Sequence, residues 1–165
     1  MESLEINSDE QMQKLGQAIG KSSQGHDLLL LSGDLGAGKT TLTKGIARSL
    51  GIRRPVKSPT FTIVREYREG KIPLFHMDMY RLEDGDLSSI DMPGYLAEDG
   101  LVVIEWPQFI IGDLPNDYLE VTIKRIDDSW DSTKRIVEFK AVGKRNQAWL
   151  SDIKRSFLSS GNTAQ

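Results

Sequence analysis

The chain has 165 residues and no cysteine, which excludes disulfides and thiolate zinc sites; with only His26 and His76 as imidazoles, any metal is expected to be oxygen-bound. The net charge of −3 argues against unaided, nonspecific binding to nucleic acid, and no apolar run approaches the ~18 residues of a membrane span. The acidic start Glu2-Ser3-Leu4-Glu5 lacks the basic-then-apolar pattern of a signal peptide, so a soluble cytoplasmic protein is expected, with one domain over residues 1–158 and a flexible tail over 159–165.

Ser8-Asp9-Glu10-Gln11 has the spacing of a helix capping box, and Met12, Leu15, Ala18 and Ile19 follow at helical intervals. This predicts a first helix, ended by the polar break from Gly20 to Gly25. Leu28-Leu29-Leu30-Leu31 is then a short apolar run of buried-strand type. It leads into Gly33-Asp34-Leu35-Gly36-Ala37-Gly38-Lys39-Thr40, which fits Gly, four residues, Gly-Lys-Ser/Thr and reads as a phosphate-binding P-loop. From Lys39 on, Leu42, Ile46, Ala47 and Leu50 share one helical face, and Gly51 occupies the C-terminal cap position.

That order has a physical basis. The first turn of a helix leaves N–H groups unpaired and partly positive, so a phosphate chain fits there. Gly33, Gly36 and Gly38 let the backbone bend close to the phosphate oxygens, and the N–H groups from Gly33 to Thr41, Leu35 and Ala37 included, form the cradle. Lys39 reaches the β- and γ-phosphates of ATP, and the Thr40 hydroxyl is placed to bind Mg²⁺. The plainer alternative is a glycine-rich strand-to-helix turn without a ligand.

Ile52 to Thr60 holds two prolines and is expected to be a loop, whose Ser58-Pro59-Thr60 could sense a γ-phosphate or be only a proline-fixed turn. Phe61 to Tyr67 and Ile72 to Tyr80 read as an antiparallel hairpin. In its second strand His76, Asp78 and Tyr80 share one face, and Phe75, Met77 and Met79 the other. His76 reads more simply as a hydrogen-bonded strand residue than as a catalyst. Glu83 to Asp99 is acidic and broken by Gly85, Pro93 and Gly94, with a short helix expected around Leu87 to Ile90.

Leu101-Val102-Val103-Ile104-Glu105-Trp106-Pro107 looks like a buried parallel strand that delivers an acid to the mouth of a nucleotide site. Tyr118 to Lys124 and Arg135 to Val142 alternate polar with apolar residues and read as an antiparallel pair attached to the parallel core. Trp149, Leu150, Ile153, Phe157 and Leu158 mark a closing amphipathic helix. From Ile123 onward nine Lys/Arg stand against five Asp/Glu. That basic third could face a partner or RNA, although a solvated face is the simpler reading. The elements together predict an α/β fold: P-loop NTPase-like and three-layered, with a parallel core sheet and antiparallel strands added.

Phosphoryl transfer from ATP needs the phosphates held, a metal set against them and an attacking group aligned. Lys39 with the loop serves the first need. Thr40 and Glu105 are the candidates for the metal, and Asp78 for its shell or for orienting water.

The blocks Gly33 to Thr41, Lys57-Ser58-Pro59-Thr60-Phe61-Thr62, His76-Met77-Asp78-Met79-Tyr80-Arg81-Leu82 and Ile104-Glu105-Trp106-Pro107 closely resemble those of the bacterial TsaE (YjeE) family, in the same order. The resemblance implies a small ATPase that helps to make threonylcarbamoyladenosine in tRNA. It would act with the TsaD-TsaB pair, which transfers the threonylcarbamoyl group, and ATP hydrolysis would support repeated turnover. Contact with tRNA is expected to be indirect, and neither DNA nor membrane is an expected partner. The same resemblance makes Thr40 and Glu105 Mg²⁺ positions, Thr60 a switch-like residue, Asp78 a catalytic or metal-shell acid, and Asp9 a neighbour of the nucleotide base. Two departures are Gly94, where the family usually has an acid before the tyrosine, and Met77, where an aromatic is usual. Beyond Pro107 the resemblance is loose. Two rivals remain: a small-molecule kinase with Asp78 as base and an arginine-bearing lid, and a non-catalytic, nucleotide-dependent assembly switch. A GTPase is disfavoured because the chain has no Asn-Lys-x-Asp segment.

Overall fold

The structure is a computed structural model, and it describes residues 2–59, 62–82, 88–127, 129 and 131–161. The strands are β1 (Glu2–Ile6), β2 (Leu28–Ser32), β3 (Val64–Tyr67), β4 (Leu74–Asp78), β5 (Leu101–Glu105), β6 (Tyr118–Arg125) and β7 (Arg135–Val142). The helices are α1 (Asp9–Ser22), α2 (Lys39–Ser49), α3 (Met92–Ala97) and α4 (Lys144–Ser159).

The four-leucine run decides the layering. Leu29 and Leu31 join the core on one face of the sheet, Leu28 and Leu30 the core on the other, and all four are buried. A strand apolar on both faces must be covered on both. Helices α1, α2 and α4 cover the first face, with Leu15, Ile46 and Trp149 in its core. The second face is covered more thinly, by Met92 of α3 and Ile110 between two short 3-10 turns, Pro107–Phe109 and Ile111–Asp113. This is the three-layer, P-loop NTPase-like α/β arrangement expected from the sequence.

The sheet runs β1-β7-β6-β2-β5-β4-β3. Strands β6, β2, β5 and β4 are parallel neighbours, and β1, β7 and β3 pair antiparallel. The C-terminal antiparallel pair is therefore more than an attachment, since β6 itself extends the parallel core beside β2. The acidic N-terminus, with no assigned role in the sequence reading, is the edge strand β1, whose Leu4 and Ile6 are buried.

The hairpin of β3 and β4 is present but shorter than expected. β4 ends at Asp78, and β3 starts only at Val64, because Ile63 takes a left-handed φ of 66° that breaks extended pairing; Phe61 lies outside the described residues. The helix expected around Leu87 to Ile90 is displaced. Ser88 to Ile90 form turns and a bend, Leu87 lies outside the described residues, and the helix is α3, capped by Asp91 with Pro93 in its first turn. Proline, taken as a breaker, is tolerated there because a first-turn N–H has no helical partner. In α4, Trp149, Leu150, Ile153 and Phe157 are buried as expected, whereas Leu158 is exposed.

Two contacts fix the helical layer. A Cβ added at Gly16 would lie 2.1 Å from Leu42 O, and one added at Gly45 would lie 2.1 Å from Gln13 O, so α1 and α2 meet backbone to backbone. Trp149 Nε1 donates to Ile19 O at 3.2 Å, which seats α4 on α1.

Candidate nucleotide site

The parallel strands β2, β5 and β4 end at one rim of the sheet, where α/β folds open their ligand crevices. The P-loop turns there from β2 into α2. Gly36 and Gly38 take φ values of 77° and 118°, a left-handed region that costs glycine little and other residues more. Ala37 N donates to Asp34 O at 3.0 Å and closes the turn. No side chain caps the start of α2, and its first turn carries no acid. A helix start with neither a side-chain cap nor an acid of its own suits an anion.

Asp78 and Glu105 pair in register at the ends of β4 and β5, and both are 3% exposed. Lys39 Nζ lies 3.8 Å from Glu105 Oε1 and donates to Gly33 O at 2.7 Å. Burial pushes the Lys39 ammonium below its ordinary pKa, opposed by Glu105, Asp78 and Asp34. His76, fully buried, places Nε2 2.5 Å from Glu105 Oε2 and donates there, while its Nδ1 has no hydrogen-bond partner among the described residues. Asp78 is also tied to the preceding loop. Its N–H donates to Ile63 O, and Ile63 N–H donates to Pro59 O.

A cavity of about 250 Å³ brings together Asp9, Leu35, Gly36, Gly38, Lys39, Thr40, Thr41, Asp78 and Glu105 from the sequence-derived set. Gly33 and Ala37 do not line this cavity; they line a second cleft together with Trp106 and Ile123. Ser58 reaches the cavity, whereas Thr60 lies outside the described residues. A larger cleft of about 730 Å³ lies between β3 and α3, but it holds neither the P-loop nor either acid. Trp106 lines the smaller cavity in a left-handed conformation with φ 57°, and the Lys39 ammonium sits 4.2 Å from its ring centroid.

One lining residue escaped the sequence reading. Arg135 is 9% exposed and bonds the P-loop carbonyls of Gly36 and Ala37. Burial pushes its pKa down, as does Arg125, while Asp9 and Asp127 raise it. The available signal was its place on the same inward face as Val137 and Phe139, where an arginine needs partners.

The two departures noted in the sequence have local explanations. Gly94 N–H donates to Asp91 Oδ1, and a Cβ there would come within 2.2 Å of Asp91 Oδ2, so a larger residue would displace the helix cap. Met77 is fully buried in the second-face core.

Fold and cavity define the class as a P-loop NTPase-like α/β protein with a lysine and two acids gathered at the loop. The family model described as "Threonylcarbamoyl adenosine biosynthesis protein TsaE" matches residues 6–136, and the chain belongs to the TsaE family. The match runs past Pro107 and takes in Arg135. A Bacillus subtilis (strain 168) protein named tRNA threonylcarbamoyladenosine biosynthesis protein TsaE is 45% identical over 129 residues, covering 78% of each chain. A Streptomyces coelicolor protein of the same name is 39% identical over 131 residues, covering 76% of this chain and 87% of the relative. The crystal structure of Bacillus subtilis YdiB superposes with a TM-score of 0.81 at 35% identity, covering 93% of this chain and 94% of that one.

Proposed function

We propose that this chain is a small Mg²⁺-dependent ATPase that supports the formation of threonylcarbamoyladenosine in tRNA. The observation that carries the reading is the convergence of Lys39, Asp78 and Glu105 on an uncapped P-loop helix, in a chain that belongs to the TsaE family. The names of its relatives supply the biosynthetic context. Lys39 and the loop N–H groups hold the β- and γ-phosphates, and Leu35, Thr41 and Asp9 flank the nucleotide.

The donor set fits a hard cation. The Thr40 hydroxyl and the carboxylates of Glu105 and Asp78 are all oxygen donors, and among the described residues no group of three or more His, Cys, Asp or Glu forms a protein-only cage. Mg²⁺ favours such sparse protein ligation, completed by phosphate and water. When bound it would supply charge neutralisation at the phosphate oxygens. Asp78 orients water, His76 holds the Glu105 carboxylate in place, and the Ser58 loop with Thr60 reports the γ-phosphate to Asp78 through Ile63. The kinase alternative needs a mobile, arginine-bearing lid drawn from Arg65, Arg68 and Arg81, of which Arg68 pairs with Glu98 at 2.9 and 3.0 Å and with Glu66 at 2.8 Å.

The partner in this reading is the TsaD-TsaB pair, with tRNA touched only indirectly and with a cytoplasmic location. Among the described residues no helix is long and apolar enough to cross a membrane. The test is phosphate release from Mg-ATP with and without the purified partner pair and tRNA. Slow release accelerated by the partners is expected. Unchanged turnover together with no complex formation would sink the assignment.

A further inference from the structure

The cavity contains a contact that lies outside the glycine-lysine motif and joins residues nearly a hundred positions apart. Arg135 is the first residue of β7, and its guanidinium reaches the P-loop. Nε donates to Ala37 O at 2.8 Å and Nη2 to Gly36 O at 3.2 Å. Nη1 donates to Ser132 O at 2.7 Å and Lys134 O at 2.9 Å. A guanidinium offers five N–H donors in a rigid plane, and these four bonds all go to main-chain carbonyls.

The geometry has a directional consequence. A trans peptide sets its C=O and N–H on opposite sides. With Gly36 O held by Arg135, the Ala37 N–H is aimed the other way, where it donates to Asp34 O and closes the turn. With Ala37 O held, the Gly38 N–H is likewise aimed away from Arg135, at the start of α2, where Gly38 lines the cavity with φ 118°. The lysine motif supplies a loop able to adopt this shape, and two of that loop's carbonyls are bonded by the arginine. Thr133 Oγ1 donates to Asn7 O at 2.8 Å, so the same approach to β7 is also tied to the residue just before the α1 cap.

We propose that Arg135 is a positioning residue for the phosphate site, clamping the Gly36 and Ala37 carbonyls so that the P-loop is preset for a nucleoside diphosphate or triphosphate before one arrives. The proposal rests on the nucleotide reading of this cavity. It gives the C-terminal strands a share in the site, and it gives the nearly buried cation at the start of β7 a function.

The test is ADP affinity by calorimetry for the wild type, Arg135→Ala and Arg135→Lys, each with millimolar guanidinium chloride or with NaCl at the same ionic strength. Loss of a charged donor to two carbonyls is expected to weaken ADP binding about tenfold or more in Arg135→Ala. Arg135→Lys is expected to be weakened less, since one ammonium keeps the charge but cannot span both carbonyls. Free guanidinium is expected to restore part of the Arg135→Ala affinity where NaCl does not, a rescue that general support of the fold would not show. Should Arg135→Ala not fold, Arg135→Lys carries the test: weaker ADP binding than wild type supports the clamp, and equal binding overturns it. Wild-type affinity in Arg135→Ala overturns the clamp and leaves the nucleotide reading standing. Absence of ADP binding by the wild type overturns both.

Discussion

Asp78 and Glu105 stand opposite each other in register at the ends of adjacent parallel strands, and the Lys39 ammonium is the cation that faces them. Two nearly buried carboxylates side by side repel, and a cation facing them offsets that repulsion. Asp78→Asn and Glu105→Gln are each expected to lower ATP turnover about 100-fold or more, in the range of a lost acid–base or metal-positioning group. Because both acids serve one constellation, the double variant should be little worse than the poorer single one. Turnover against Mg²⁺ concentration checks this; full activity in either single variant would remove that acid from the mechanism.

Lys39 carries a second expectation. Its ammonium is held off its ordinary pKa by burial, so the charged form costs stability in the unliganded protein. Lys39→Met removes that cost but leaves Glu105 and Asp78 without the cation that faces them, so it should melt below the wild type without nucleotide and also lose the upward shift that ADP gives the wild type. Trp106 offers an optical readout, since Lys39 lies over its ring. Nucleotide that draws the ammonium toward phosphate should change wild-type emission and leave the Lys39→Met spectrum unchanged.

The pH response of the β3–α3 contact can be signed. Tyr95 Oη donates to Glu66 Oε2 at 2.6 Å, and that bond pushes the phenol up to about 12 from an ordinary value of 10.0. A raised folded-state pKa means that the contribution to stability is complete below pH 10 and fades as pH climbs through about 12. Glu66 is held below its ordinary 4.5, first by Tyr95 and then by Arg68, so its share is present above pH 4.5 and fades as pH falls. Tyr95→Phe should be less stable than the wild type between these limits, with the gap narrowing on both sides. Melting temperatures across that range test it; a gap independent of pH would detach the phenol from Glu66.

What the sequence revealed was what lies close along the chain. The P-loop has fixed local spacing, the α1 cap is four residues long, and Glu105 ends an apolar run, so each is readable in a short window. Alternation also placed His76 and Asp78 on one face. Register was not readable: nothing near residue 78 says that it faces Glu105, because pairing is decided by how β4 lies against β5 in three dimensions. Arg135 was hidden for the same reason, with its partners 98 and 99 positions away. β6 looked like half of a hairpin because alternation does not distinguish a strand with two neighbours from one at an edge. α3 was misread because its own Pro93 and Gly94 resemble a break until Asp91 is seen to cap the helix that contains them.

The position of the cavity along the sheet depends on how closely α1 approaches α2, since α1 carries Asp9 to its edge and α2 starts at Lys39. Gly16 and Gly45 permit that approach. A Cβ at either would fall 2.1 Å from a carbonyl oxygen of the other helix, and backbone cannot swing aside as a side chain can. Gly16→Ala and Gly45→Ala should therefore each destabilise by about 1–3 kcal/mol through overpacking, lowering Tm by roughly 5 °C for a domain of this size. Gly51→Ala isolates the other way in which a glycine can matter. Nothing lies within 4 Å of its added Cβ, but φ is 83°, so only backbone strain of about 1 kcal/mol is expected. Gly112→Ala, with open space and no left-handed φ, should be nearly neutral. The two helix-interface variants should also bind ADP more weakly, because pushing the helices apart moves the start of α2 relative to Asp9, while Gly51→Ala and Gly112→Ala should bind as the wild type does. Thermal melts and ADP titrations on the four variants separate contact from strain; a Gly16→Ala protein with wild-type Tm and affinity would mean that the helices can part without cost.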